Sequence, residues 1–210
     1  LINITPALST GASSQYINAG LINNNGLEFE LGWRDRIGKL DYNISGNIAT
    51  VNNMVVEAPS IISGTSTHAG TTITYFEESF PVWYLRTYKI DHLDETGYPV
   101  YKDFDGVEGI TDADREYAGC AIPDFTYGIS ATVGYMGFSL SLLASGAYGN
   151  ELYYGLNAGV QPTYNRLKYL TLNRWTEDNR DTKIPSAVGQ FDNRFYASDG
   201  MVFDASYLKI

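Results

Sequence analysis

From Asp103 to Asp114 the chain reads DFDGVEGITDAD, a spacing of oxygen-bearing residues that could hold a hard cation. A calcium loop presents oxygen at positions 1, 3, 5, 7, 9 and 12 with glycine at position 6. Asp103, Asp105, the Gly109 carbonyl, Thr111 and Asp114 supply positions 1, 3, 7, 9 and 12. Position 5 is Val107, which has no side-chain oxygen, and position 6 is Glu108. Two readings stay open here, a calcium site and an acidic turn facing water. Other carboxylates fall in pairs, Glu77-Glu78 and Asp112/Asp114, as a glycosidase pair would. They sit in loops among many acids, with no nucleophile elbow, no Ser-His-Asp order and no phosphate-cradling glycine loop nearby. His68 and His92 are isolated from any Glu or Cys at ligand spacing, so both are expected at the surface. The single Cys120 is expected to be a small apolar filler, since no neighbouring base activates it. No catalysis is expected. A second kind of chemistry is stacking: Trp83, Tyr84, Tyr88, Tyr153, Tyr154 and Tyr164 offer aromatic faces suited to sugar rings or to a protein partner. Their alternative is packing among themselves.

The elements that must carry these loops are strands. Residues 125–135 and 138–149 alternate almost strictly, with a turn at Met136-Gly137. Phe125, Tyr127, Ile129, Ala131, Val133 and Tyr135 share one side of the first run, with Phe138, Leu140, Leu142 and Tyr148 on the matching side of the second. The other side is Ser, Thr and Gly with hardly a charge. A second hairpin joins residues 26–34 to 39–51 through DRIG, its apolar row carrying Leu27, Phe29, Leu31, Trp33, Leu40, Tyr42, Ile44 and Ile48. Glu28 and Glu30 lie on its polar side and are expected to pair with Arg34 or with another segment. Residues 201–210 end in another strand-like run. Two long polar stretches, about 52–123 and 150–199, exceed ordinary connections and should be functional loops or carry small elements of their own. Within them 80–90 is expected to be extended, and 164–175 permits a short helix. Short turns at one end and long stretches at the other suit a transmembrane barrel better than a Greek-key sandwich.

Composition narrows the class. Of 210 residues, 21 are Gly and 17 Tyr, and formal charge is −10. That balance excludes nucleic acid, whose phosphates demand a basic surface. No run approaches the ~18 apolar residues of a membrane helix. A soluble sandwich places Lys, Glu and Arg on its outer faces. Spanning strands instead turn an apolar row to lipid between aromatic girdles. On that reading Phe125, Tyr127, Ile129, Val133, Phe138, Leu140, Leu142 and Tyr148 face lipid, and the small hydroxylated row faces a lumen.

In order, NNNGLEFELGW, YPVYKDFDGVEGITDADREYAG, IPDFTYGISATVGYMGFSLSLLASGAYGNELY, LNRWTEDNRDTKIPSA and ASDGMVFDASYLKI resemble the C-terminal part of the barrel of SusC/RagA-type TonB-linked outer-membrane proteins. The resemblance covers nearly the whole chain. It implies an all-β fold: an antiparallel transmembrane β-barrel segment with long extracellular loops, one part of a plugged barrel of about 22 strands. The plug, the TonB-contacting segment and the final strands would lie outside residues 1–210. It implies TonB-dependent import of large nutrients, mostly oligosaccharides and sometimes peptides, across the outer membrane of Bacteroidota, without covalent chemistry or cofactor. The implied partners are a SusD-like surface lipoprotein over the barrel mouth, the TonB complex acting through the plug, the cargo and outer-membrane lipid. Rival expectations are a carbohydrate-binding surface β-sandwich and a TonB-linked receptor for siderophores or vitamins.

Overall fold

Two alternating runs that differ in sequence turn out to be neighbours in one sheet. The computed structural model describes residues 2–4, 9, 11, 15–18, 20–64, 70–155, 168–187 and 193–210. In chain order the strands are β1 (Ile2–Ile4), β2 (Gln15–Ile17), β3 (Leu21–Asn25), β4 (Glu28–Ile37), β5 (Leu40–Thr50), β6 (Asn52–Glu57), β7 (Ile62–Ser63), β8 (Thr74–Phe76), β9 (Tyr84–Tyr88), β10 (Ile90–Leu93), β11 (Pro99–Tyr101) and β12 (Arg115–Gly119). They continue with β13 (Phe125–Tyr135), β14 (Phe138–Tyr148), β15 (Glu151–Tyr153), β16 (Val202–Asp204) and β17 (Tyr207–Lys209); one short helix, α1 (Lys168–Leu172), lies in the second long stretch. His68 and Tyr164 lie outside the described residues.

The largest sheet has five strands in the order β17-β14-β13-β5-β4, every neighbour antiparallel. The register is uninterrupted. Ile129 faces Ala144 on one side and Gly46 on the other, and Val133 faces Leu140 and Tyr42. Period-two alternation therefore adds up across strands, and the apolar rows of both hairpins share one face. The first hairpin is longer than DRIG suggests. Strand β4 runs through Asp35, Arg36 and Ile37, and the turn is Gly38-Lys39. Ile37 pairs with Leu40, and Arg36 Nε lies 3.2 Å from Asp41 Oδ1 across the strands. A two-residue turn keeps this register and matches the strand twist.

Every strand of this sheet except the two short turns' ends breaks along one line. The breaks fall between Asn25 and Glu28, at Val51, before Phe125, at Gly149-Asn150 and at Ala205-Ser206. They are hydrogen-bonded side by side: Thr50 N–H to the Leu27 carbonyl (2.9 Å), Val51 N–H to Asp124 (3.1 Å), Asp124 N–H to Tyr148 (2.9 Å) and Ala205 N–H to Asn150 (2.8 Å). The Gly149 N–H completes the line by donating to Ser206 Oγ (3.0 Å). Beyond it the ladders regroup, β3 with β6 and β15 with β16.

The long connections both start from this line, and they hold the buried core. A four-stranded sheet, β12-β9-β8-β7, forms within residues 62–119. Ile73, Leu85, Tyr88, Ile90 and Tyr101 from the first stretch close around Phe195, Tyr196, Ala197 and Met201 from the second. Two 3-10 turns, Asn193–Ala197 and Asp199–Met201, bring that second group in. Ile90 N–H donates to Asp199 Oδ1 (3.0 Å), and Lys183 Nζ reaches Asp199 Oδ2 (2.8 Å).

Gly149 constrains the break line by conformation as well as by space. Its φ is +86°, and a Cβ there would collide with the Asp124 carboxylate. Gly149→Ala in the full-length parent should lower unfolding free energy by about 1–3 kcal/mol, measured by urea unfolding in detergent. An unchanged midpoint would show that the break is not fixed by this residue.

Candidate functional site

The five-stranded sheet carries nearly all its large apolar side chains on a face that no other layer of the described chain covers. Leu140 is 73 % exposed and Phe138 83 %, and Phe29, Leu31, Trp33, Ile44, Ile129, Leu142 and Leu208 are exposed on the same face. Phe125, Tyr127, Ile129, Val133, Phe138, Leu140, Leu142 and Tyr148 all fall on it. Aromatic rings collect toward its ends. Phe125 and Tyr148 stack at 5.2 Å beside the break line, with Tyr127 at 6.0 Å from Phe125. At the turn end Trp33, Tyr42 and Tyr135 descend two residues per strand along β4, β5 and β13. Asp35 follows Trp33 on this face, past that diagonal. The slope is what strand tilt and stagger produce in a barrel wall.

The opposite face is small and polar. Ser45, Ser130, Thr132, Ser139, Ser141 and Ser145 lie there, and Thr132 and Ser141 hydroxyls are 3.2 Å apart. Glu28 and Glu30 are on this face but make no ion pair with Arg34 among the described residues. Four to six residues along a strand separate them by about 13–20 Å, too far for contact. Leu143, 69 % exposed, is the one large apolar side chain of β14 on this side.

In the loop layer the stacking candidates separate. Trp83 is 45 % exposed, takes φ +55° at the turn before β9, and sets its ring 5.9 Å from Phe76. Tyr153 and Tyr154 are half-buried, packed against the core, with Tyr153 Oη donating to the Tyr196 carbonyl (2.9 Å). Tyr84 and Tyr88 are not contact residues. Tyr84 is 1 % exposed, stacked on Phe80 at 4.3 Å, and Tyr88 is equally enclosed. They alternate into the core of a strand that is buried on both faces, so their rings serve packing. Burial, then a hydrogen bond to Asp112 Oδ1 (2.9 Å), pushes the Tyr88 phenol up to about 12. Burial, then Glu77, raises Tyr84 beyond the ordinary range.

A feature unread in the sequence holds this layer. Arg115 is buried, with Nη1 donating to the Thr72 carbonyl (2.6 Å) and Tyr75 Oη (2.9 Å), and Nη2 2.9 Å from Asp112 Oδ2. Its guanidinium also lies over the Tyr75 and Tyr88 rings, at 5.7 and 5.5 Å. Nothing in REYAG marks this arginine as interior; only the surrounding tyrosines hint at it. Cys120 is buried, as a filler should be. His92 is exposed beside Asp91, 2.9 Å away.

The acidic loop does bring Asp103, Asp105 and Asp114 together, with oxygens within 4.8 Å of one another. Those oxygens already accept hydrogen bonds. Asp114, fully buried, takes the N–H groups of Phe104 (2.7 Å) and Asp105 (3.2 Å) on Oδ1 and of Thr111 (2.7 Å) on Oδ2. Asp103 accepts from Gly106 N–H (2.6 Å), and Asp105 from Val107 N–H (2.8 Å) and the Thr111 hydroxyl (3.2 Å). Thr111 and Asp114 form a capping box on the 3-10 turn Asp112–Asp114. Gly109 contributes a φ of +93°.

No family model matches the chain. Over its full length it is 25 % identical to TonB-dependent receptor P26 of Formosa agariphila, covering 23 % of that protein. It is 24 % identical to TonB-dependent receptor P3 of the same organism, over 96 % of the chain and 22 % of that protein. The chain thus spans about a quarter of the length of the curated relatives it matches. Among solved structures, the RagAB peptide transporter superposes with a TM-score of 0.75 at 22 % identity, over 99 % of this chain and 24 % of that one. The RagAB peptide importer in its closed-closed state gives 0.68 at 20 % identity, over 98 % of this chain and 24 % of that one. The all-β, antiparallel fold is therefore that of a section of such a transporter chain. The resemblance to SusC/RagA-type TonB-linked receptors holds along the whole sequence.

The hydrogen bonds from Thr111, Phe104 and Asp105 amides hold the Asp114 carboxyl below the usual carboxylate range. A depressed folded-state pKa contributes stability above the unfolded value, near 3.9, and loses it as pH falls through the folded one. The protection of the Phe104, Asp105 and Thr111 amides, taken relative to their intrinsic exchange rate at each pH, should be flat from pH 7 to about 5 and fall below about 4. Asp114→Asn should lower it at all pH values; equal protection in the variant would contradict this closure.

Proposed function

We propose that the chain is a stretch of wall and outer loops from a TonB-dependent importer in a bacterial outer membrane. The observation that carries this reading is the five-stranded sheet whose apolar face meets no protein layer among the described residues. Strand β13 has eleven residues, about 35 Å of extended chain, which a tilt near 45° reduces to about 25 Å. That is the height of a barrel's apolar band. Phe125, Tyr127 and Tyr148 would sit at one water interface, with Trp33, Tyr42, Tyr135 and Phe138 toward the other. Ile129, Val133, Leu140 and Leu142 would touch hydrocarbon, and the Ser/Thr row would line the lumen. The long connections leave from one end only and build the outer loop layer.

Within that reading the whole receptor imports large nutrients, oligosaccharides first, with a SusD-like lipoprotein as lid and the TonB complex acting through a plug outside this chain. The relatives are receptors and transporters, which favours transport over catalysis. A peptide cargo is the second reading, favoured by the likeness to a peptide transporter. On this reading Trp83, which is exposed, would meet a lid or cargo, with the half-buried Tyr153 and Tyr154 as further candidates. The 103–114 loop serves as a self-closed turn, because its carboxylates are engaged by its own backbone. Anomalous scattering from a calcium-soaked crystal of the parent should show no ion between Asp103 and Asp114; a peak there restores the calcium site.

Ile129→Arg or Leu140→Arg in the full-length parent should destabilise the folded barrel by about 2–4 kcal/mol. Ser130→Asn or Ser141→Asn should cost far less. Equal tolerance on the two faces, read by urea titration in detergent, would reverse the orientation. For cargo, deletion of the parent gene should abolish growth on an oligosaccharide as sole carbon source and spare growth on peptides; the opposite pattern selects the peptide reading.

A further inference from the structure

The apolar face is not smooth. Gly46 sits in its middle, opposite Leu31 on β4 and Ile129 on β13. Around it lies a dent of about 440 Å³ walled by Phe29, Leu31, Trp33, Ile44, Ile48 and Ile129. The face has a second glycine in an apolar row, Gly146, and the two are treated differently. Tyr127 swings over Gly146, so that a Cβ there would strike its ring, and its hydroxyl donates to the Tyr207 carbonyl (3.3 Å). Covering a strand glycine with a cross-strand ring is a recurring device of β-sheets. Gly46 has no such cover. A Cβ placed on it would meet only the Gly128 carbonyl at 3.5 Å and Ile129 Cγ1 at 4.0 Å, ordinary contacts.

Position decides what can enter. The dent centres on the Gly46–Ile129 pair, which is 129 − 125 = 4 residues from Phe125 at the break line and 135 − 129 = 6 from Tyr135 at the turn. Those intervals are about 13 Å and 20 Å along the strand. On the bilayer reading above, on which this inference rests, that depth holds hydrocarbon alone. No Lys, Arg, Asp or Glu lines the dent; of its polar lining residues, Ser45 and Asn47 belong to the opposite face and the Tyr127 hydroxyl is spent on Tyr207, so the dent offers no charge to a headgroup. The occupant must be slender, flexible and wholly apolar.

We propose that this dent holds one acyl chain of a bilayer lipid as a fixed, slowly exchanging neighbour of the wall, gripped without regard to its headgroup. Gly46 is the residue that makes the room, and the long rings of Phe29 and Trp33 make the sides.

The test uses the full-length receptor reconstituted in dioleoylphosphatidylethanolamine nanodiscs, moved to mild detergent and weighed by native mass spectrometry. Gly46→Phe fills the dent, and the open contacts at Gly46 let the strand keep its pairing. Ala131→Phe adds the same ring to the same face outside the dent. Wild type and Ala131→Phe should retain one more phospholipid per chain than Gly46→Phe. Equal lipid counts in all three overturn the proposal, as does a smaller assembly mass for Gly46→Phe than for wild type, which assigns the dent to a second copy. Should Ile129→Arg impair the barrel while lipid counts stay equal, only the acyl-chain site falls; should Ile129→Arg be harmless, the bilayer reading falls first.

Discussion

The constraint on which everything else depends is that this sheet has an apolar face that no protein layer covers among the described residues. Burying one large apolar side chain contributes roughly 1.5–3 kcal/mol, while a folded domain is stable by only about 5–15 kcal/mol. Phe29, Leu31, Trp33, Ile129, Phe138, Leu140 and Leu142 left in water would together forgo about 10–20 kcal/mol of burial, a sum comparable with that margin. A sheet in water solves the problem with a second layer. This one has none among the described residues; on the bilayer reading proposed above, its partner would be the solvent itself, hydrocarbon. The rest follows from that substitution: full ladder pairing from β4 to β14, small hydroxyls on the reverse, rings at the borders and no charge between them.

The same constraint explains why the core sits in the loops. A wall bathed in lipid needs no interior, but connections of seventy and fifty residues emerging into water do. They meet the need by folding on each other: β9 and β10 receive the 193–201 turns, and Asp199 ties Ile90 to Lys183. Arg115 is tolerated inside because two tyrosine rings, a carbonyl and Asp112 satisfy most of its donors. The break line at Val51, Asp124 and Gly149 is the border between these two kinds of folding. Below it pairing obeys a single register; above it the β4–β5 and β14–β17 pairs continue as β3–β6 and β15–β16, while β12, which leads into β13, pairs with β9 instead.

What the sequence makes legible is set by period. Strict alternation in 125–149 announces both strands, their turn and their shared face, because the pleat leaves no other arrangement. The adjacency of β5 to β13 is not announced, since seventy residues separate them and any alternating strand presents the same edge. The reach of β4 to Ile37 is hidden because Asp35 and Arg36 look like turn residues; they are strand residues past the apolar band, where tilt carries β4 out of it first. Tyr84 and Tyr88 mislead for the opposite reason. Aromatic residues in a long polar stretch suggest a binding surface, yet β9 is buried on both sides and its tyrosines are interior. The acidic loop is legible as a cluster, but only coordinates reveal that backbone amides hold Asp103, Asp105 and Asp114.

Orientation follows from the join between wall and loops. Both long connections spring from the Phe125–Tyr148 end, and both two-residue turns lie at the other, so the sheet has a functional top and an economical bottom. A barrel inserted with the loops inward would face its folded layer toward the periplasm and leave only Gly38-Lys39 and Met136-Gly137 outside, with nothing there to contact cargo or lid. The loop layer is instead a preorganised body: its tyrosines are locked by burial, its acidic turn is closed by its own backbone, and Trp83 is held in a left-handed conformation that few bulky residues adopt. Rigid loops of this kind recognise by shape. On the reading proposed above, selectivity would reside in the side chains that the locked layer leaves exposed, Trp83 among them.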